Sequence, residues 1–135
     1  MSIKLLDHKV MRSLVIFNSD LMEFFSNIKS VEDLPLDHDI IQPNDSSDGI
    51  YFVHYQFKHE PKIEGENNGE VHELAVIDMF FRFEVLNENP DHVEKKLKDC
   101  IPSICYPYMR SFLNTLFANS GVEPVYLPLW FYKES

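Results

Sequence analysis

Residues 100–121 read "CIPSICYPYMRSFLNTLFANSG", and the fold turns on how this stretch is understood. Ile101, Ile104, Cys105, Tyr108, Phe112, Leu116 and Phe117 recur at three- and four-residue steps, the period of one helix face. Pro107 lies inside that pattern. A proline within a helix removes one backbone hydrogen bond and crowds the carbonyl four residues back, here that of Ser103. The loss is small if Ser103 sits in the opening turn, whose N–H groups lack helical partners. The expectation is therefore a helix that starts near Pro102–Ser103, runs to Ala118 and stops at Ser120–Gly121. Pro107 would bend its first turns and free the Cys105–Tyr108 region to pack elsewhere.

Working outward, "NPDHVEKKLKDC" at 89–100 is a second helical segment, with Asn89 and Pro90 as cap and first-turn residue and Pro102 resetting the chain after it. Before it, "HELAVIDMFFRFEVLNE" at 72–88 alternates as a strand does. Ala75, Ile77, Met79, Phe81, Phe83 and Val85 share one face; Leu74, Val76, Asp78, Phe80, Arg82 and Glu84 share the other, which is mixed. If only one face packs on a helix, Val76 and Phe80 should stand exposed beside Asp78 and Arg82. "GIYFVHYQFKHE" at 49–60 is another strand, and Asn68-Gly69 marks a hairpin turn between the two. "KVMRSLVIF" at 9–17 is β-rich, and "SDLMEFFSNI" at 19–28 forms a short helix with Ser19 as N-cap. "VEDLPLDHDIIQPNDSSDG" at 31–49 reads as a long connector, and "VEPVYLPLWFYKES" at 122–135 as an extended segment packed on something. Strands first and helix afterwards point to one α+β domain over residues 1–135 with an antiparallel sheet.

The chain holds 135 residues with a formal charge of −10, 44% hydrophobic and 13% aromatic. That length supports one core without staples. The acidic balance disfavours nucleic acid and anionic membranes and suits basic segments of other proteins. Cys100 and Cys105 lie five apart in predicted helix, a poor geometry for a disulfide. Without a signal-peptide or membrane-spanning run, the expected location is the cytoplasm. Four scattered glycines exclude the usual phosphate-binding fingerprints, and neither CxxC nor HExxH is present. His54 and His59 have opposite strand parity and cannot converge on one ion without a bulge. The acidic residues Glu64, Glu66, Glu70 and Glu73 flank a turn, and Cys105 lies on an apolar helix face. No enzyme activity, metal or cofactor is expected.

At Pro102, Ser103, Ile104, Cys105, Tyr106, Pro107, Tyr108, Met109 and Arg110, followed by Gly121 and the segment Pro124 to Phe131, the chain resembles the SecB family of export chaperones. Members carry a helix opening with Pro-Asn-Ile-Leu-Phe-Pro-Tyr-Ala-Arg, ending at a glycine before a Pro- and Leu-rich stretch. The likeness runs in order over roughly 9–131, and only the helix stretch is specific. It implies a SecB-like α+β fold: a four-stranded antiparallel sheet packed with one long helix in the C-terminal half. The family's last helix has no counterpart in this sequence, which stops four residues after Phe131. The resemblance implies an ATP-independent holdase for unfolded polypeptides or preproteins in protein export, working as a homodimer or homotetramer. The alternatives are a SecB-like chaperone of a toxin–antitoxin system, which protects an antitoxin, and a non-chaperone interaction or ligand-binding module. By the same resemblance, clients would contact Tyr106, Tyr108, Tyr126, Leu127, Leu129, Trp130 and Phe131. A partner such as the export motor SecA would contact Val76 and Asp78.

Overall fold

A computed structural model describes residues 2–42, 49–60, 75–86, 88–121 and 127–128. Its elements in chain order are β1 (Ser2–Val15), α1 (Ser19–Ser26), a 3-10 turn (Val31–Asp33), β2 (Leu36–Ile41), β3 (Ile50–His59), β4 (Ala75–Leu86) and α2 (Pro90–Ser120). The four strands form one antiparallel sheet in the order β1-β4-β3-β2. The fold is thus the α+β, four-stranded arrangement with one long helix, and among the described residues β1 and β2 are paired on one side only.

Strand parity builds the core. Tyr51, Val53, Tyr55 and Phe57 of β3 and the odd-numbered residues of β4 from Ala75 to Val85 are buried on one face. Both helices lie on that face, and Leu21, Phe25, Val93, Leu97 and Ile101 join the same cluster. Phe25 stacks on Phe57 at 5.8 Å and meets Phe117 edge-on at 5.0 Å, which ties α1 to the sheet and to the end of α2.

The two helical segments expected around Pro102 are one continuous helix of 31 residues, with Pro102 and Pro107 both inside it. The orphaned acceptors explain the tolerance. Pro102 and Pro107 free the carbonyls of Lys98 and Ser103, and both of those residues are exposed, so water can serve them. The buried line of α2 uses every fourth residue: Val93, Leu97, Ile101, Cys105, Met109, Leu113 and Phe117. At 3.6 residues per turn this line gains about 40° per step around a straight helix, roughly 240° over its length. A helix bending toward the sheet, convex on its proline side, keeps such a winding line against a twisted surface.

Other expectations need correction. Asn18, not Ser19, caps α1: its side-chain oxygen accepts from the Leu21 N–H at 2.9 Å. The connector at 31–49 contains β2, whose six residues pair with β3 from Leu36↔Phe57 to Ile41↔Phe52. The first strand begins at Ser2 rather than Lys9, and its register with β4 skips a residue between Leu5 and Asp7 and again between Val10 and Arg12. Gly121 closes α2 in the left-handed conformation at φ 73°, as its sequence position implied. The Asn68-Gly69 hairpin lies outside the described residues.

Candidate functional site

Three surfaces carry chemistry. The first joins α2 to the C-terminal segment. Tyr106 is buried and its hydroxyl donates to the Pro128 carbonyl; Arg110, one turn on, donates from Nε to the Leu127 carbonyl at 3.0 Å. Burial pushes the Tyr106 phenol up to about 12 against the opposing pull of the Arg110 charge, so it stays protonated and able to donate. Leu127 fills the core beside them. Cys105, also in the core, has its thiol pushed up to about 12 by burial, the inert state of a packed cysteine. Tyr108 points elsewhere. It is 38% exposed and packs on His8 of β1 at 4.2 Å and edge-on to Phe81 at 5.8 Å.

The second surface lies where the open edge of β2 passes the start of α2. Ile40, Gln42, Tyr51, Asp91 and Glu94 line a hollow of about 320 Å³ there. Asn89 fixes that end of the helix by accepting from the Asp91 N–H at 3.1 Å. Ile40 and Tyr51 share the lining with Gln42 and two carboxylates, so the hollow is more polar than apolar, and it lies beside a strand that among the described residues is paired on one side only.

The third surface is the sheet face opposite the helices. Asp78 is only 7% exposed. Its Oδ2 accepts from Arg12 Nε at 2.7 Å, and its Oδ1 contacts His54 Nε2 at 2.6 Å and accepts from Gln56 Nε2 at 2.8 Å. Burial raises its carboxyl pKa, but the hydrogen bonds from His54, Gln56 and Arg12 and the Arg12 charge outweigh that and hold it below the ordinary range. Val76, expected to be exposed, is fully buried between its register partners Leu14 and Lys58. A lysine stem can cover apolar surface while its charge stays in water, and Lys58 directs that charge to Glu60 at 2.7 Å.

Of the residues the resemblance singled out, the structure brings Tyr106 and Leu127 together in the core and leaves Tyr108 on the surface. Tyr126, Leu129, Trp130 and Phe131 lie outside the described residues. Arg12, His54 and Gln56 escaped the sequence reading because they meet Asp78 only through pairing between strands distant in the chain.

A four-stranded antiparallel sheet carrying a proline-bearing long helix on one face is the SecB-like fold. Among solved structures, the chain is similar to the SecB-like chaperone Rv1957 of Mycobacterium tuberculosis, determined in complex with a ChAD peptide from the HigA1 antitoxin. The two share 11% identity at a TM-score of 0.58, over 98% of this chain and 93% of that one. No protein-family model and no curated protein matches the sequence. Among the described residues no helix is long and apolar enough to cross a membrane.

Proposed function

We propose that the protein is an ATP-independent chaperone that holds unfolded polypeptide, working as at least a dimer. The observation that carries this reading is the open β2 edge running beside the hollow of Ile40, Tyr51, Asp91 and Glu94. An extended chain adding to such an edge gains backbone hydrogen bonds along its length, while alternate side chains meet Ile40 and Tyr51. Affinity of that kind is tolerant of sequence, as a holdase requires. The two carboxylates favour clients with a basic residue near the inserted side chain. Among the described residues of the expected client set, Tyr108 is the one on the surface. Trp130 and its neighbours are proposed to extend the contact. Tyr106 and Leu127 support it from the core.

The test is light scattering of an aggregating client at near-stoichiometric ratio, without nucleotide. Suppression is expected; no effect over a panel of clients would leave only an interaction module. Trp130 is the sole tryptophan, so its emission should shift when unfolded client is added. Two client roles remain open to experiment. The antitoxin peptide held by the similarly folded Rv1957 favours an antitoxin, whereas an export role requires measurable binding to SecA. Polypeptides co-purifying with the protein from its native cell decide between them.

A further inference from the structure

The free side of β2 is not uniformly open. Backbone groups of a strand point to its two sides at alternate residues. Pro35, just before β2, turns its carbonyl toward β3, where it accepts from the Lys58 N–H at 3.1 Å. Asp37, Asp39 and Ile41 follow that parity, so the N–H and C=O groups of Leu36, His38 and Ile40 point the other way, to the side without a strand among the described residues. Two of those three donors are already engaged within the chain. The Leu36 N–H donates to the Leu34 carbonyl at 2.9 Å, and the His38 N–H donates to Oδ1 of the neighbouring Asp37 side chain at 2.9 Å. The Ile40 N–H has no such partner among the described residues. Ile40 is also the residue of this strand that lines the hollow with Gln42, Tyr51, Asp91 and Glu94. Glu94 meets Lys98 at 3.5 Å, whereas the Asp91 carboxylate has no ion-pair partner among the described residues.

We propose that Asp37 is a specificity-determining residue of the client site, a latch that confines an incoming strand to the Ile40 end of β2. The inference rests on the reading of β2 as the edge that takes clients. The occupant is an extended segment of unfolded polypeptide with a lysine or arginine at its point of contact. In an antiparallel addition, one client residue exchanges both backbone hydrogen bonds with Ile40, and its side chain falls on the same face as that of Ile40. There a long stem lies against Ile40 and Tyr51 while its charge reaches Asp91. Two residues along, the client's carbonyl would need the His38 N–H. It meets the Asp37 carboxylate oxygen instead, acceptor against acceptor, and pairing there requires the existing bond to break. Charged side chains at sheet edges are a general means of stopping unlimited strand pairing. Here the charge acts between a brief contact and a ladder. A short contact keeps each grip weak and reversible, as a holdase needs, and it keeps a second copy from extending the sheet through β2.

The experiment uses the full chain and the end-blocked peptide Thr-Val-Thr-Val-Lys-Val-Thr-Val-Thr as probe, and follows single amides by hydrogen exchange. With peptide at about ten times its dissociation constant roughly one site in ten is free, so a covered amide exchanges about tenfold more slowly. In the parent the Ile40 amide should slow by that factor and the His38 amide should not. In Asp37→Ala both should slow, and the peptide should bind about threefold to tenfold more tightly, as one more net hydrogen bond implies. Asp37→Asn keeps an acceptor oxygen without the charge, so its His38 amide should behave as in the parent, which separates a latch from simple repulsion. The proposal is overturned if His38 and Ile40 are protected together in the parent, or if Asp37→Asn frees His38 as alanine does. Either result removes the latch and leaves β2 as the client edge. Peptide that leaves Ile40 unprotected, or that does not bind, removes the client edge and the latch with it. Protection of Ile40 that grows with protein concentration in the absence of peptide also overturns the proposal, since the occupant is then a second copy.

Discussion

Tyr106 and Pro128 are joined by a hydrogen bond from a buried phenol to a main-chain carbonyl, and it answers why the helix carries the sequence Tyr-Pro-Tyr-Met-Arg. Arg110, four residues on, takes the preceding carbonyl, that of Leu127. Two donors on one helix face hold consecutive peptide units of the C-terminal segment. Tyr106→Phe keeps the ring packing and should cost about 1 kcal/mol in urea unfolding, as should Arg110→Met. Because the two bonds hold adjacent carbonyls, the double variant should lose less than the sum. A fully additive pair would mean that the segment is held independently at each point.

Legibility followed burial. The strands β3 and β4 could be read from alternation because each buries its odd-numbered residues, although β4 buries Val76 and Asp78 as well. The strand β2 was hidden: its Asp37 and Asp39 face outward beside prolines and a polar cluster, so nothing local outweighs the turn signals. Much of β1 was hidden for a related reason, since an edge strand that shifts register twice has little burial to impose a period. Continuity of α2 through Pro102 depends on solvent reaching the Lys98 carbonyl, which only the tertiary placement decides. At the site, the SecB-like motif contains Tyr106 and Arg110, which hold the C-terminal segment, whereas strand parity with one packed face gave the wrong exposure for Val76. The Asp78 network was beyond reach, because its members come from three strands.

Gly49 precedes β3 at φ 67°, and a Cβ placed there would lie 2.6 Å from the Val85 carbonyl oxygen. The Gly49 carbonyl also accepts from the Val85 N–H at 2.9 Å, so the approach cannot widen freely. Gly49→Ala should lower stability by more than the ~1–2 kcal/mol that left-handed backbone alone costs. Gly121→Ala is the control: its φ is similar, 73°, but a Cβ there meets nothing within 4 Å. The difference between the two melting temperatures isolates the collision. Equal losses would place the strain in the backbone angle only.

Asp78 predicts a pH dependence. Its folded pKa is depressed, so the stabilisation it gives is present above its unfolded pKa, about 4, and is lost as pH falls through the folded value. Asp78→Asn should therefore be clearly less stable than the parent at pH 7, with the gap between their melting temperatures closing on acidification below about pH 4. A gap that persists at pH 2–3 would mean that the loss came from packing or amide geometry, not from the charge.

Pro107 is exposed and sits 17 residues into a 31-residue helix. Alanine there restores a backbone donor for the Ser103 carbonyl and removes the ring's clash. Proline inside a helix costs about 3 kcal/mol, and part of this should be recovered in Pro107→Ala as a higher melting temperature. The condition is that α2 can straighten without lifting its winding line of buried residues from the sheet. A lower melting temperature would show that the proline is built into the core packing, and Tyr106 and Met109, the buried residues on either side of it, would then be the ones displaced.

The edge of β1 is where the proposed dimer can be tested. This strand is 14 residues long and among the described residues is unpaired on one side, with Val10, Met11 and Leu14 exposed along it. An edge of that length with apolar side chains invites another strand, and soluble proteins usually protect such edges with charge, bulges or a partner. Here the register shifts near Leu6 and Met11 supply bulges, but the stretch from Arg12 to Val15 continues without one. A second copy pairing along it would cover Leu14 and complete the backbone hydrogen bonds. Leu14→Lys and Val10→Lys change side chains that are 45% and 37% exposed in the single chain, so each should alter its intrinsic stability by only about 0.5 kcal/mol. In sedimentation equilibrium at micromolar concentration the parent should run as a dimer or larger, and the double variant should shift to monomer with its far-ultraviolet spectrum unchanged. A parent that is already monomeric, or a double variant that associates as strongly, would remove β1 as the dimer edge.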